Sequence, residues 1–256
     1  MSRFVTFAVQ SGSNGNCIYV EAGDTRLLFD AGVAARTVRQ RMAEHQRTPE
    51  DCDALIISHD HSDHTRCAGV YQRKFGVPMY LTTATRRAIR TDLGALGELR
   101  YFQAGDVLTI GDVRVHTFRT PHDAADGVVF IVEHDGRRLG IFTDLGHVFK
   151  GLEELLAVVD AAYLESNYDV DMLLDGPYPY YLKERITGSG GHLSNVDSAR
   201  LVRRTASKRQ AWIALAHLSE HNNRPELALE EHHGHVGREF PFTVCSRSAV
   251  SPLLAL

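Results

Sequence analysis

The stretch Ser58-His59-Asp60-His61-Ser62-Asp63-His64, here called the histidine loop, concentrates three imidazoles and two carboxylates in six residues. It follows the apolar run 54–57, Ala-Leu-Ile-Ile, which predicts a short buried strand. Histidine is the commonest metal ligand near neutral pH, and carboxylates bind the same hard or borderline cations. The histidine loop therefore indicates a metal site at the end of a strand.

The spacing within the histidine loop indicates more than one metal ion. In an extended segment alternate side chains share a face, so His59, His61 and Asp63 are expected to point the same way. His64 breaks this alternation and requires the chain to turn there. Four potential ligands are more than one tetrahedral metal usually takes from one loop. We therefore expect two metal ions; the alternative, a solvated polar loop, rarely concentrates histidine in this way.

The composition is that of an ordinary globular protein. The chain has 256 residues, of which 43% are hydrophobic and 23% charged, and its net charge is −4. Nucleic-acid binding would therefore depend on a local basic patch and not on the global balance. Residues 1–10 lack the long apolar core of an export signal, so we expect a cytoplasmic protein with reduced cysteines. With no repeat and no linker, one domain over 1–256 is the simplest interpretation.

Apolar runs bounded by turn residues predict a chain of mixed strands and helices. The expected helices include 33–44, 64–75, 84–90, 152–158 and 195–206, and a last helix begins at Pro225. Strands are expected at 4–9, 17–20, 26–29, 54–57, 78–81, 107–110, 113–118, 128–133, 138–143, 161–164 and 211–216. The run 231–235, which holds three further histidines, is interpreted as a solvated turn.

Residues that can bind metal recur at the ends of the predicted strands. Because strand ends can share one edge of a sheet, residues far apart in sequence can meet there. The six residues in question are Asp30, His59, His122, Asp144, Glu165 and His217. Asp30 has two interpretations of equal weight, a helix cap or a hydrogen bond to the histidine loop from behind the ligands.

These residues allow a specific assignment of ligands to two metals. One metal would be held by His59, His61 and His122, and the second by Asp63, His64 and His217. Asp144 is the expected bridge, because one carboxylate can serve two metals. Two metals about 3.5–4 Å apart can share a hydroxide and stabilise an in-line displacement.

The same residues resemble the metallo-β-lactamase fold superfamily. Its HxHxDH signature corresponds to residues 59–64, and His122, Asp144 and His217 match its later ligand positions in order and approximate spacing. The resemblance covers nearly the whole chain. It implies an α/β fold, an αββα four-layer sandwich with two mixed β-sheets face to face and helices outside, and a hydrolase with two metals at one edge.

Finer similarities point to one group within that superfamily. The segments Gly-Ser-Asn-Gly-Asn-Cys17, Leu164-Glu-Ser-Asn167, Gly191-His-Leu-Ser-Asn195 and Leu215-Ala-His-Leu-Ser219 resemble the YycJ (WalJ) group of bacterial exonucleases. That resemblance implies a cytoplasmic protein with 5′ to 3′ exonuclease activity on double-stranded DNA. A looser similarity to ribonuclease Z is offset by the absence of a long insertion that would grip tRNA.

The implied chemistry is hydrolysis of a phosphodiester by a hydroxide that bridges two metals, zinc or else manganese or iron. Asp63 is expected to hold the hydroxide as well as to bind metal. His192, with Glu165 setting its tautomer, is expected to protonate the departing oxygen. His221 and Asn222 are expected to line the mouth of the site.

The sequence also offers candidate residues for contact with a polyanionic substrate. Arginines on two predicted helices could follow a polyanionic backbone, namely Arg86, Arg87, Arg90, Arg203, Arg204, Lys208 and Arg209. Tyr178, Tyr180 and Tyr181 could stack on bases, but packing is the expected role. Two alternatives stay open: a hydrolase of a cyclic phosphodiester, lactone or thioester, and a metal-binding regulatory protein without catalysis.

Overall fold

Two mixed β-sheets lie face to face and carry helices on their outer surfaces. The computed structural model describes residues 3–207 and 209–256, so Lys208 lies outside the described residues. Within that part of the chain each sheet has seven strands. The resulting α/β/β/α layering confirms the predicted fold class.

The first sheet contains the amino-terminal strands and the last strand of the chain. Its strands are β1 (Phe4–Gln10), β2 (Cys17–Ala22), β3 (Thr25–Phe29), β4 (Ala54–Ile56), β5 (Met79–Thr82), β6 (Leu99–Phe102) and β14 (Leu254–Ala255). They lie in the order β14-β1-β2-β3-β4-β5-β6. Strands β3 to β6 are parallel, and β14, β1, β2 and β3 pair antiparallel.

The second sheet repeats this arrangement of parallel and antiparallel pairs. Its strands are β7 (Val107–Ile110), β8 (Val113–Arg119), β9 (Val128–His134), β10 (Arg137–Phe142), β11 (Ala161–Glu165), β12 (Trp212–Ala216) and β13 (Phe242–Val244). Here β10 to β13 are parallel, and β7 to β10 pair antiparallel. The carboxyl ends of the parallel strands thus come to one edge of each sheet.

The helices cover the outer faces of the two sheets. They are α1 (Ala35–Glu44), α2 (Ser62–Thr65), α3 (Ala68–Phe75), α4 (Thr83–Ala88), α5 (Leu152–Ala157), α6 (Val170–Asp175), α7 (Tyr180–Thr187), α8 (Asn195–Thr205) and α9 (Pro225–Val236), with a short 3₁₀ turn at Pro49–Asp51. None of these described helices combines the length and the apolar character that crossing a bilayer requires.

Three clusters of buried apolar side chains hold the layers together. The central cluster lies between the sheets, where Phe29 of β3 contacts Phe130 of β9 with ring centroids 5.1 Å apart. A second cluster joins the first sheet to α1 and α3, and a third joins the second sheet to α5, α8 and α9. Burial on both faces of each sheet explains why the parallel strands β4 and β12 are continuous apolar runs.

The structure corrects three of the sequence predictions. The predicted helix 64–75 is two helices, α2 and α3. The predicted solvated turn 231–235 is the last part of α9, and His232 there is fully buried. The strands β6, β13 and β14 were not predicted; β13 has three residues and β14 two, too few to show a clear alternation.

Candidate metal centre

The predicted metal-binding residues converge where strands of the two sheets end. Three of the residues at these ends, Asp30, Asp144 and His217, have φ between 56° and 65°, in the left-handed region. This region is uncommon for residues with a side chain, and such strain concentrates at functional sites. The backbone conformation therefore marks the same edge that the side chains mark.

One group of potential ligands contains three histidines. Ring nitrogens of His59, His61 and His122 lie within 4.8 Å of one another. The closest approach is 3.2 Å, between His61 Nδ1 and His122 Nε2. His59 and His61 belong to the histidine loop after β4, whereas His122 follows β8, so this group joins the two sheets.

A second group lies beside the first. The carboxylate Oδ2 of Asp63 is 3.4 Å from His64 Nε2 and 3.4 Å from His217 Nε2. Asp63 and His64 lie in the short helix α2, so the chain turns where His64 breaks the alternation of the histidine loop. This group, too, combines side chains from both sheets, because His217 follows β12.

Asp144 lies between the two groups. Its Oδ2 is 3.2 Å from His64 Nε2, and its Oδ1 is 3.6 Å from His122 Nε2 and 3.6 Å from His217 Nδ1. The side chain is buried, yet neither oxygen has a hydrogen-bond partner among the described residues. His59 Nε2 is likewise buried without a partner.

These unpaired atoms test whether the donors fit metal ions. Burying a polar group without a hydrogen bond costs free energy, and a charged group costs more than a neutral one. A cation among His59, Asp144 and their neighbours would satisfy these atoms. The donor set, imidazole nitrogen and carboxylate oxygen, suits divalent metal ions. The residues therefore fit divalent metal ions.

Electrostatics keep the carboxylates ionised and one imidazole neutral. Burial would raise the pKa of Asp63, but the neighbouring His64 and His217 hold it well below its usual range. The same opposition, with His217 and His64 dominant, lowers the pKa of Asp144. Burial lowers the pKa of His59 well below its ordinary value. Asp63, Asp144 and His59 are thus in the protonation state that binds a cation. Against the effect of burial, the carboxylates around His64 and His217 raise the pKa of those two imidazoles, that of His217 to about 10, so a cation bound there has to displace their protons.

A set of partners behind the ligands fixes their orientation. Asp30 Oδ2 accepts from His64 Nδ1 at 2.7 Å, and its Oδ1 accepts from the Ser58 amide at 2.8 Å. The Gly191 carbonyl accepts from His122 Nδ1 at 2.8 Å. Such outer partners set the tautomer of a ligating histidine and hold its ring. Of the two interpretations of Asp30, the hydrogen bond to the histidine loop is the one that the structure contains.

His192 and Glu165 form a pair at the border of the cluster. His192 Nδ1 donates to Glu165 Oε1 at 2.7 Å, and Glu165 Oε2 accepts from the Leu145 amide at 2.8 Å. Glu165 is fully buried, which would raise its pKa, but His192 and His217 lower it to about 2. Its carboxylate therefore stays ionised beside His192, which is partly exposed.

Three nearby residues were not predicted as members of the site. Asn167 Nδ2 donates to the His217 carbonyl at 2.7 Å. Asp123 Oδ1 lies 3.7 Å from His61 Nε2, and its Oδ2 accepts from Arg185 Nε at 2.5 Å. Asp123 follows the predicted ligand His122 directly, which was the one sequence signal for it. Nothing local in the helix of Arg185 pointed to the cluster.

The remaining predicted residues lie in different surroundings. His221 is exposed, and Asn222 is fully buried against Ser219. Arg90 lines a cavity together with His61, whereas Arg204 pairs with Glu153 and Arg209 with Asp160. The first basic segment therefore adjoins the cluster. The second lies at the carboxyl end of α8 and just beyond it.

One family model and two curated relatives agree with this geometry. A sequence profile described as the metallo-beta-lactamase superfamily matches residues 11–185. Exodeoxyribonuclease WalJ of Streptococcus pneumoniae is 37% identical over 222 residues, which are 85% of this chain and 82% of WalJ. Exodeoxyribonuclease YycJ of Bacillus anthracis is 34% identical over 239 residues, 90% of each chain.

A solved structure repeats the fold over the full length. The metallo-beta-lactamase fold protein YhfI of Bacillus subtilis superimposes with a TM-score of 0.77, covering 98% of this chain and 99% of YhfI. The two sequences are 18% identical. At this identity the likeness concerns the fold alone.

Proposed function

The chain belongs to the metallo-β-lactamase superfamily, and from this premise we propose that it is a metal-dependent DNA exonuclease that digests double-stranded DNA from 5′ to 3′. The observation that carries the proposal is the pair of donor groups joined by Asp144 at the meeting edge of the two sheets. The nuclease assignment draws in addition on the names of the two curated relatives.

The metal ligands belong to this proposal. His59, His61 and His122 would hold one divalent ion, Asp63, His64 and His217 the second, and Asp144 both; zinc is the ion we expect. Such ions, when bound, lower the pKa of water and neutralise charge on a phosphate. The cytoplasm, where the DNA substrate is found, is the expected location.

Two residues supply the proton chemistry. Asp63 is ionised and accepts a hydrogen bond from the attacking water, which orients the water toward phosphorus. His192 gives its Nδ1–H to Glu165, so its Nε2 is the nitrogen available to the substrate. The buried Glu165 carboxylate holds the Nδ1 side of the ring, so that His192 can give a proton from Nε2 to the departing oxygen.

End-labelled polymers test the reaction. The metal-loaded protein is incubated with single- and double-stranded DNA, with RNA and with bis(p-nitrophenyl) phosphate. We expect double-stranded DNA to lose a 5′ label before a 3′ label, and RNA to stay intact. Cleavage of the small ester without cleavage of any polymer would refute the nuclease assignment.

A further inference from the structure

A small cavity of mixed chemistry adjoins the metal centre. Its volume is about 180 Å³. One part of its wall is apolar and aromatic and comes from Tyr178, Leu182 and Ile186. Cavities that bind drug-sized ligands measure about 300–1,000 Å³, so this one fits a single smaller group and no duplex.

The rest of the wall is polar and contains one carboxylate, that of Asp123, and two basic side chains. Ser13, Asn167 and Ser219 supply hydroxyl and amide groups, and Arg185 and His192 line the cavity as well. A nucleoside monophosphate has the same three parts: a flat base, a polar sugar and an anion.

Arg185 connects this cavity with the metal centre. It also lines a cavity of about 310 Å³ formed by His61, Asp63, Asp144 and His217. Arg185 also lines a groove of about 470 Å³, to which Arg90 contributes as well. Its Nε bonds to Asp123, and the side chain is 56% exposed. The guanidinium is therefore oriented by one carboxylate and still open to an incoming phosphate.

We propose that this cavity binds the terminal nucleotide of the DNA strand, with the Tyr178 ring against the base and Arg185 on a phosphate. The inference rests on the proposed nuclease function and adds that the protein removes a single nucleotide in each cleavage. A terminal nucleotide enters such a cavity only after leaving the base stack. Nucleotides would then depart one at a time.

The position of His192 indicates which bond of the substrate breaks. His192 borders both the cavity and the metal centre. The nucleotide in the cavity is thus on the leaving-group side. The water oxygen bonds to phosphorus and the P–O3′ bond breaks. O3′ takes a proton from His192, and the proton that the water loses returns to the ring through solvent. The products are a mononucleotide with a free 3′-hydroxyl and a strand with a new 5′-phosphate.

Calorimetric titration of the protein with its metals tests the cavity directly, with thymidine 5′-monophosphate, thymidine and inorganic phosphate as probes. Tyr178→Ala should weaken both nucleoside probes by roughly tenfold and leave inorganic phosphate unchanged. Tyr178→Phe keeps the ring and should bind like wild type. Tyr180→Ala, in the same segment but 75% exposed, is the matched control. Arg185→Gln should weaken the two phosphate-bearing probes and leave thymidine unchanged.

Equal binding of the nucleotide by wild type and Tyr178→Ala would overturn the proposal, as would a nucleotide that binds no tighter than inorganic phosphate. Short oligonucleotides as the first DNA products would also overturn it, while the nuclease assignment would stand. Nucleotide binding that depends on Tyr178, in a protein that cleaves no DNA, would support the cavity and refute the nuclease assignment.

Discussion

Asp144 and His192 have different proposed tasks although Asp144 Oδ1 and His192 Nδ1 are 3.7 Å apart. Asp144 is buried, ionised and without a hydrogen bond among the described residues, which is the environment of a metal bridge. His192 is partly exposed and paired with a buried carboxylate, which is the environment of a proton donor. Substitution should therefore affect metal content at one residue and turnover at the other.

Asp144→Asn removes the charge of the bridge at constant shape. We expect the purified variant to lose at least one of two metals, because an amide is a poorer ligand for two cations at once. Elemental analysis measures this directly. Asp175→Asn, at an exposed position at the end of α6, is the control. Full retention of both metals by Asp144→Asn would rule out the bridging role.

His192→Ala should keep both metals and lower the turnover of DNA by about 10²–10⁴-fold, the usual contribution of a general acid. The loss should be much smaller with bis(p-nitrophenyl) phosphate, because p-nitrophenolate departs without a proton. Steady-state rates on the two substrates give the comparison. An equal loss on both would show that His192 acts on something other than the leaving group.

Among the elements, the short helix α2 brings Asp63 and His64 into the second donor group. Two loops pack against it: Ala31 N–H, after β3, donates to the His64 carbonyl at 2.7 Å, and Asn16 N–H, between β1 and β2, donates to the Asp63 carbonyl at 2.8 Å. The position of α2 thus depends on close backbone contacts. A β-carbon at Gly32 would lie 1.6 Å from the Asp63 carbonyl oxygen.

Gly32→Ala should therefore displace α2 and separate Asp63 and His64 from His217. Because misplacement by about 1 Å can cost roughly a hundredfold in rate, we expect turnover to fall by that order and metal to be lost. Gly234→Ala is the matched control, since nothing lies within 4 Å of its β-carbon and it is in a helix. It should stabilise the protein by about 0.5–1 kcal/mol in thermal unfolding. Unchanged metal content in Gly32→Ala would contradict this account.

At the scale of the whole molecule, a buried histidine of α9, His232, contacts both the neighbouring helix α8 and the second sheet. His232 Nδ1 donates to the Ala228 carbonyl at 2.8 Å, and its Nε2 lies 3.1 Å from Ser198 Oγ of α8. Its ring meets Phe242 of β13 edge-on. Burial lowers the pKa of His232 to about 4 from 6.5.

This burial makes the stability of the fold depend on pH. Between pH 6.5 and 4 the unfolded chain binds the proton and the folded chain does not. The contribution of neutral His232 to the free energy of unfolding is therefore fully present above pH 6.5. The free energy of unfolding falls by about 3 kcal/mol as the pH approaches 4. Denaturant unfolding of metal-free protein at several pH values measures it. His232→Gln should remove this part of the slope, and His233→Gln should keep it; identical slopes in all three proteins would refute it.

How much the sequence predicts can be judged from particular residues. The histidine loop and the strand ends were predicted, because their signals are local: apolar runs, turns and a short spacing of ligands. The layered α/β fold was predicted from the resemblance to the metallo-β-lactamase superfamily. The packing role expected of Tyr180 and Tyr181 was wrong, since both are over 70% exposed. The burial of His232 was also missed, because nothing in its neighbours reveals which side of α9 meets α8.

The sequence by itself thus determined which side chains are candidate metal ligands and which strand each of them follows. The tertiary structure decided which of them meet and what surrounds them: Asp144 between two donor groups, Asp123 with Arg185 beside His61, and a cavity walled by Tyr178. The reason is physical. A ligand carries its chemistry wherever the chain places it, whereas a distance between residues 60 or more positions apart depends on the packing of two whole sheets.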